Sequence, residues 1–188
     1  MLANAKVDGE YLQELDLISY FIITATAGHD TTSATTSVGM KALMDFPEQL
    51  RKLQTNPDLA TDAARVMIRW SSPVRHMMRT LTEDVEFHGQ TIKKGENLAV
   101  WYPAANRDQR AIENPNAFDI ERDNRGQLAF GYGGHMCLGQ HLAVLAVAIF
   151  YKELMSRLDW IEQAGDARWV EAVFVGGLKS LPVRYAFK

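Results

Sequence analysis

The spacing of apolar residues predicts three helices in the first part of the chain. From Glu10 to Met44 apolar residues recur at helical spacing, although Gly28 and a run of Thr and Ser weaken the centre of the pattern. A short amphipathic helix follows from Phe46 to Leu53 and stops at Pro57. The third helix has apolar residues at i, i+3, i+4 and i+7, and Ser71, Ser72 and Pro73 end it; these apolar residues are Ala63, Val66, Met67 and Trp70.

A fourth helix is predicted after position 137. Leu138, Leu142, Leu145 and Ile149 keep helical spacing, and most residues between 143 and 150 are also apolar. A helix that is apolar nearly all round belongs in the centre of a core. We therefore expect this helix to be buried.

Short alternating runs predict small β-sheets. Val85–Phe87 and 98–102 flank the segment HGQTIKKGE and favour a hairpin-rich sheet. The stretch from 103 to 128 is polar and turn-rich, yet Phe118 and Ile120 must pack. The tail VEAVFVGGLKSLPVRYAF predicts two strands around Gly176-Gly177. Since no repeat or linker interrupts the chain, residues 1–188 are interpreted as a single domain, mainly α with small β-sheets.

Composition and charge exclude several function classes. The chain is 47% hydrophobic and 23% charged with a formal net charge of -3, which is typical of a globular protein. Scattered Lys and Arg predict no nucleic-acid or membrane partner. The longest apolar run, 15–27, is broken by Asp16 and hydroxyl side chains, so no membrane span or signal peptide is expected. A lone cysteine excludes an internal disulfide and fits a cytoplasmic protein.

The single cysteine, Cys137, lies in the glycine-rich segment FGYGGHMCLGQHLA. A lone cysteine is most often a small buried apolar residue. Here the glycines let backbone pass close to a large group, and the start of a helix favours the thiolate, which ligates metals or attacks electrophiles. Two alternatives are a zinc site from His135, Cys137 and His141, which lacks a second cluster to complete it, and a cysteine hydrolase using one of these histidines.

Six positions of this segment fit F-G-x-G-x-H-x-C-x-G and resemble the haem-binding signature of the cytochromes P450; they are Phe130, Gly131, Gly133, His135, Cys137 and Gly139. The resemblance implies that Cys137 is the thiolate ligand of haem b iron, whose electron donation favours O–O cleavage. It also implies that His135 reaches a haem propionate, that Phe130 packs beside the sulfur, and that Gly131 and Gly139 make room for the macrocycle.

A second segment, Ala27-Gly28-His29-Asp30-Thr31-Thr32, taken alone indicates a helix that ends at Gly28 and a new helix capped by Asp30. Beside the cysteine motif it resembles A-G-x-[DE]-T-T in the long distal helix of the same family. The resemblance implies that Ala27 and Gly28 leave room for dioxygen, and that Asp30 and Thr31 relay protons to it. A hydrogen bond from Thr31 back to the helix would loosen the helix locally.

A third feature, Arg69, corresponds to an arginine that this family pairs with a glutamate three positions earlier. A second arginine, here Arg122, completes the buried pair. Position 66 is Val in this chain, Arg65 has the wrong sign, and Asp62 lies two turns away. Because removal of one partner from a buried ion pair costs about 3–5 kcal/mol, we expect a weakened core.

Weaker matches follow in the same order along the chain. Arg79 resembles a second propionate-binding residue, its alternative being an exposed arginine on a strand edge. The stretches 74–78 and 174–178 resemble two loops that line the substrate pocket; the expected lining residues are Val74, His76, Met77, Val175 and Gly176. The segments YPAANRD and FVGGLKSLPVRY are most similar to bacterial members that hydroxylate terpenoid alcohols, with sterol and alkyl-chain hydroxylases as near relatives.

Taken together, the resemblance implies a cytochrome P450 fold, of which the chain is the C-terminal portion. It implies a haem-thiolate monooxygenase that uses O2, a small apolar substrate, and a ferredoxin with its NAD(P)H-dependent reductase docked near Cys137. Because about half of a family member is matched, the alternative is a haem-binding or interaction fragment without turnover.

Overall fold

The computed structural model describes residues 4–188, and its longest element is the helix α1 (Glu14–Asp45). A two-stranded hairpin, β1 (Lys6–Val7) with β2 (Glu10–Tyr11), precedes it, so the helix begins four residues later than the apolar pattern predicts. The helix is continuous through Gly28, which rules out the interpretation as two capped helices. Along it, Ser and Thr hydroxyls donate to carbonyl oxygens one turn earlier, which satisfies them inside a helix.

The core lies between three helices. After α2 (Pro47–Thr55), α3 (Ala60–Ser71) packs against α5 (Gln140–Arg157) and against the second half of α1. The fully buried side chains between them are Leu43, Leu53, Ala63, Met67, Tyr151 and Met155. The predicted apolar face of α3 is confirmed.

Gly39 allows the close approach of α1 to the other two helices. A Cβ there would lie 2.8 Å from the Met67 sulfur and 2.9 Å from the Tyr151 hydroxyl. That hydroxyl donates to the Thr36 carbonyl at 2.6 Å, and its burial raises the pKa of Tyr151. The hydrogen bond satisfies a phenol inside the core.

The prediction that α5 is buried all round is wrong. Val147, Ala148, Tyr151 and Met155 face the core, whereas the opposite face is open. Its apolar side chains and the one just before the helix are exposed by 46–98%: Leu138, Leu142, Leu145, Ile149 and Phe150. The reason is that residues 4–188 supply helices to one side of α5 only.

The strands form five antiparallel pairs within the described residues. β3 (His76–Thr80) pairs with β6 (Asn97–Trp101), and between them β4 (Val85–Phe87) and β5 (Gln90–Ile92) form the expected hairpin. Tyr102, predicted as the end of the sixth strand, instead begins the short helix α4 (Tyr102–Ala105) and is buried.

The tail differs from its prediction. β7 (Leu158–Gln163) pairs with β10 (Val183–Phe187), and β8 (Arg168–Trp169) pairs with β9 (Leu178–Ser180). The tail was predicted to have one strand on each side of Gly176-Gly177, but β9 and β10 both follow these glycines and do not pair with each other. Just before the glycines, Val175 forms an isolated β-bridge. A Cβ on Gly177 would lie 2.7 Å from the Ala34 Cβ, so the absence of a side chain at Gly177 allows the tail to pack closely against α1.

Between α4 and α5 the chain is irregular but anchored. Phe118 and Ile120 are buried, as expected, and Phe118 packs against Phe46 and Trp70 with ring centroids 5.5 and 5.2 Å apart. Among the helices of residues 4–188, none is long and apolar enough to cross a membrane.

Candidate functional site

The Cys137 loop is a tight turn that depends on glycine. Gly131 and Gly133 have φ of +74° and +76°, in the region that only glycine adopts readily. The Cys137 amide donates to the Phe130 carbonyl at 2.9 Å, which closes the loop on itself. A 3-10 turn from Gly133 to His135 lies inside it, and α5 begins at Gln140.

This loop presents the thiol to the outside of the described structure. Cys137 and His135 are exposed, while Phe130 is half-buried. A Cβ on Gly139 would meet no atom within 4 Å, so open space borders this side of the loop. An exposed sulfur beside uncrowded glycines fits a large flat ligand that needs an axial thiolate.

The segment predicted to handle dioxygen and protons lies in the first half of α1. Ala27, Gly28 and Asp30 are exposed, and a Cβ on Gly28 would meet nothing within 4 Å. The Thr31 hydroxyl donates to the Ala27 carbonyl at 2.7 Å, and Asp30 Oδ1 lies 2.8 Å from His29 Nδ1. No hydrogen bond in residues 4–188 joins this segment to the Cys137 loop.

The two predicted substrate loops lie side by side. Val74 forms a β-bridge with Val175, and the Gly176 amide donates to the Pro73 carbonyl at 2.8 Å. A Cβ on Gly176 would lie 2.5 Å from Arg75 Nε, so the Arg75 guanidinium packs directly on the backbone of this crossing.

Two further side chains of the predicted pocket differ in accessibility. The His76 ring packs 4.8 Å from the Trp101 ring and 5.8 Å from that of Phe174, and its Nδ1 is buried without a hydrogen-bond partner. Met77, one residue on, is exposed on the other face of β3. The aromatic contacts fix the His76 ring, so Met77 is the more adaptable of the two.

Arg79 lies on the same strand, opposite Leu98, and is half-buried. Its guanidinium donates to the Met78 carbonyl at 2.9 Å and makes no ion pair with a carboxylate of residues 4–188. Its remaining donors suit an external anion such as a propionate.

Arg69 is buried without its expected acid. It is 1% exposed, and its Nη1 donates to the carbonyls of Asn106 and Pro115, each at 3.0 Å. Its Nε and Nη2 have no partner, and Val66 is completely buried. Burial, together with the positive charges of Arg122 and Arg107, lowers the pKa of Arg69 to about 10. The predicted loss of the ion pair therefore leaves a charged group uncompensated.

The two neighbouring arginines bind backbone and an aromatic ring. Arg122 donates to the carbonyls of Glu113, Asn114 and Ala117, which lie in the irregular segment before the cysteine loop. Arg107 lies over the Trp70 ring at 4.5 Å and donates to its carbonyl. Carbonyl dipoles replace a carboxylate throughout this cluster.

Asn106 is a structural residue whose role the sequence did not indicate. It is fully buried; its amide donates to the Ser72 hydroxyl at 2.8 Å, and its Oδ1 accepts the Leu128 amide at 2.7 Å. Its carbonyl accepts from Arg69. One asparagine thus joins the end of α3 to the chain just before the cysteine loop.

The residues present fit a haem. An exposed thiol, open glycine positions on both Cys137 and Gly28 segments, and the unpaired arginine at position 79 match the needs of an iron porphyrin with anionic propionates. The zinc alternative lacks support, because within residues 4–188 no three His, Cys, Asp or Glu side chains come together.

Comparisons with known proteins identify relatives along nearly the whole chain. The family model for cytochrome P450 matches residues 67–185. Cytochrome P450-terp of Pseudomonas sp is 43% identical over 185 residues, covering 98% of this chain and 43% of that protein. Linalool 8-monooxygenase of Pseudomonas putida is 34% identical over 183 residues, covering 97% of this chain and 45% of that protein. The methyl-branched lipid omega-hydroxylase of Mycobacterium tuberculosis H37Rv is 36% identical, with 98% and 44% covered.

Solved structures agree. CYP108D1 from Novosphingobium aromaticivorans superposes with a TM-score of 0.94 at 42% identity, over 100% of this chain and 46% of that one. CYP109Q5 from Chondromyces apiculatus gives 0.93 at 31% identity, over 100% and 49%. The chain spans about half the length of the curated relatives it matches. Over that length the predicted fold and family are confirmed: the chain belongs to the cytochrome P450 family.

Proposed function

We propose that this chain forms the haem-thiolate part of a monooxygenase that inserts one oxygen atom of O2 into a C–H bond of a small apolar substrate. The Cys137 loop carries the proposal, since it offers an exposed thiol in a glycine-dependent turn at the start of α5. Members of the cytochrome P450 family are haem-thiolate enzymes with a cysteine axial ligand.

Bound haem b would supply the iron chemistry that activates dioxygen. Cys137 would hold the iron through its sulfur, and His135 and Arg79 would hold the propionates. Phe130, which is half-buried, would pack beside the sulfur, and Gly131 and Gly139 would make room for the macrocycle. Together, these residues would orient the macrocycle.

Proton delivery is assigned to Asp30 and Thr31. Because the Thr31 hydroxyl donates to the Ala27 carbonyl, its oxygen lone pairs remain free to accept a hydrogen bond from water. The exposed carboxyl of Asp30 can take a proton from solvent and release it towards that oxygen. Ala27 and Gly28 keep the adjoining space free of side chains.

The substrate that we propose is a terpenoid. Cytochrome P450-terp and linalool 8-monooxygenase are among the relatives, although a methyl-branched lipid hydroxylase is another. Val74, Met77 and Val175 would give the pocket an apolar wall, with His76 and Gly176 beside them. Electrons would come from a ferredoxin and its NAD(P)H-dependent reductase at the face near Cys137, in the cytoplasm.

A haem-binding chain without turnover is the second candidate. The unpaired guanidinium of Arg69 and the open face of α5 favour it, because both weaken the support of the haem site. The two candidates share the thiolate ligand and differ in oxygen transfer.

The first experiment is a reduced carbon monoxide spectrum of the haem-reconstituted chain, with Cys137→Ser as the matched variant. We expect the red-shifted Soret band of thiolate-ligated haem in the unchanged chain and its loss in the variant. Bound haem without that band would refute the proposed ligand. Incorporation of 18O2 into a terpenoid product then separates turnover from binding alone.

A further inference from the structure

Three arginines lie close together beside the end of α3, and no carboxylate neutralises them within residues 4–188. Arg69 is 1% exposed, while Arg107 and Arg122 are half-buried. Each ion pair in the described part of the chain joins other side chains. Burial and the two neighbouring charges lower the pKa of Arg69 to about 10, so Arg69 stays protonated at neutral pH. We call these three residues the arginine cluster.

Three buried N–H donors of the cluster are unused. Arg69 Nη1 donates to two backbone carbonyls, whereas its Nε and Nη2 have no acceptor within residues 4–188. These two nitrogens share one edge of the planar guanidinium, so both can donate to a single anion. The Nε of Arg122 is likewise buried without an acceptor, although its Nη1 and Nη2 bind carbonyls. Buried donors without acceptors are rare, because each loses its hydration.

One turn of backbone holds the two guanidinium groups beside each other. Arg69 donates to the Pro115 carbonyl, and Arg122 donates to the carbonyls of Asn114 and Ala117 on either side of it. These carbonyls therefore already act as acceptors for Nη groups. The Nε of Arg122 and the free edge of Arg69 are left for an acceptor from outside the chain.

The surroundings favour an anion that is small and singly charged. Arg122 lines a cavity of about 470 Å³ beside this turn, which gives a route to the cluster. Glu113, Asp119 and Asp123 line the same cavity. Their negative charges repel a divalent anion more strongly than a monovalent one.

We propose that the arginine cluster binds a small monovalent anion of the chloride type, which accepts hydrogen bonds from the free edge of Arg69 and from the Nε of Arg122. The anion supplies the negative charge that no side chain of residues 4–188 places there. Its binding stabilises the folded chain. The inference rests on the packing around α3 and is independent of the proposed oxygen transfer.

The test is urea unfolding of the full 188-residue chain over a range of chloride concentrations, with gluconate keeping the ionic strength constant. A ligand that binds only the folded state raises the folded-to-unfolded ratio in proportion to its concentration above the dissociation constant. We expect about a tenfold rise in this ratio for a tenfold rise in chloride. Bromide should act like chloride, whereas gluconate is too large to enter. The response should be the same with and without bound haem.

Variants at the cluster separate anion binding from general salt effects. Val66→Glu should abolish the chloride response, because a carboxylate one turn before Arg69 accepts from the same donors, and its gain in stability should be larger in gluconate than in chloride. Val66→Ala is the matched control at the same position and should keep the response. Arg69→Met should lose it, while Arg184→Met should keep it, because Arg184 pairs with Glu162 in the β7–β10 sheet.

A second measurement detects the bound ion directly. The unchanged chain should broaden the 35Cl resonance of chloride, bromide should reverse the broadening, and Val66→Glu should remove it. A stability that does not respond to chloride would overturn the proposal. So would an equal response in Val66→Glu, or an equal response to sulfate, because either result indicates charge screening. None of these readouts depends on haem or turnover, so failure of the proposed function leaves the anion site standing, and the reverse holds too.

Discussion

Replacing Val66 by glutamate is expected to stabilise the fold. Val66 lies one turn before Arg69 on the same side of α3, and both are buried. Two nitrogen atoms of the guanidinium lack acceptors. A carboxylate at position 66 would accept from both and neutralise a buried charge.

The size of the effect follows from two opposing contributions. An uncompensated buried charge costs about 3–5 kcal/mol, while exchanging a fully buried valine loses about 1.5–3 kcal/mol of apolar burial. The Asn106 and Pro115 carbonyls already bind Arg69 Nη1, which places the gain at the lower end. With a gain of about 3 kcal/mol set against this loss, we expect a net gain of up to about 1.5 kcal/mol, which raises the thermal unfolding midpoint by up to about 6 °C for a chain of this size.

Urea unfolding of Val66→Glu, Arg69→Met and the double variant measures the coupling between the two sites. The glutamate should raise the midpoint when Arg69 is present and lower it in the Arg69→Met background, where the new carboxylate is itself unpaired. Equal destabilisation in both backgrounds would refute the ion-pair reasoning. Val66→Gln supplies an acceptor without charge and should give a smaller gain.

Three further outcomes are expected. The pKa of Arg69 is lowered to about 10 in the folded chain, chiefly by burial, so above pH 10 the unfolded chain binds more protons than the folded chain. As the pH rises through 10, the free energy of unfolding of the unchanged chain should therefore increase relative to that of Arg69→Met. Urea titrations at several pH values measure this difference. Gly131→Ala should destabilise by about 1–3 kcal/mol because φ is +74° and the new Cβ lies 3.2 Å from the Tyr102 hydroxyl, whereas Gly134→Ala, with open space, should change the urea midpoint little. Thr31→Ala should keep the carbon monoxide band but divert reduced oxygen to peroxide, which a peroxide assay against product yield measures.

The elements that sequence pattern predicted well are those whose partners lie nearby in the core. The i, i+3, i+4, i+7 spacing from Ala63 to Trp70 defined α3 because that face packs on α5 along its length. The burial of α5 was predicted wrongly from its apolar content. Apolar content indicates which side chains avoid water, but not which neighbouring elements are present to cover them. Leu142 is 70% exposed for that reason.

Long-range contacts explain the other differences. The Gly176-Gly177 pair looked like the turn of a hairpin, but Gly176 packs against the Arg75 side chain and Gly177 against Ala34, and both partners are over a hundred residues away. The structural role of Asn106 could not be predicted, because its partners, Ser72 and Leu128, come from distant segments. The cysteine motif and the absence of a glutamate at position 66 could be recognised from the sequence because each is defined by a fixed spacing within a short segment. The roles of the motif residues in binding haem stay predictions.

Asn106 makes the stability of α3 relevant to the haem loop. Its carbonyl accepts from Arg69, and its Oδ1 holds the Leu128 amide two residues before Phe130, where the cysteine loop begins. If the Arg69 guanidinium moved towards solvent, it would therefore disturb the segment that positions Cys137. Val66→Glu should slow haem loss to apomyoglobin, and Asn106→Ala should remove most of that gain while the Val66→Glu change in urea midpoint persists. Unchanged haem loss in a stabilised Val66→Glu chain would show that Arg69 and the loop are uncoupled.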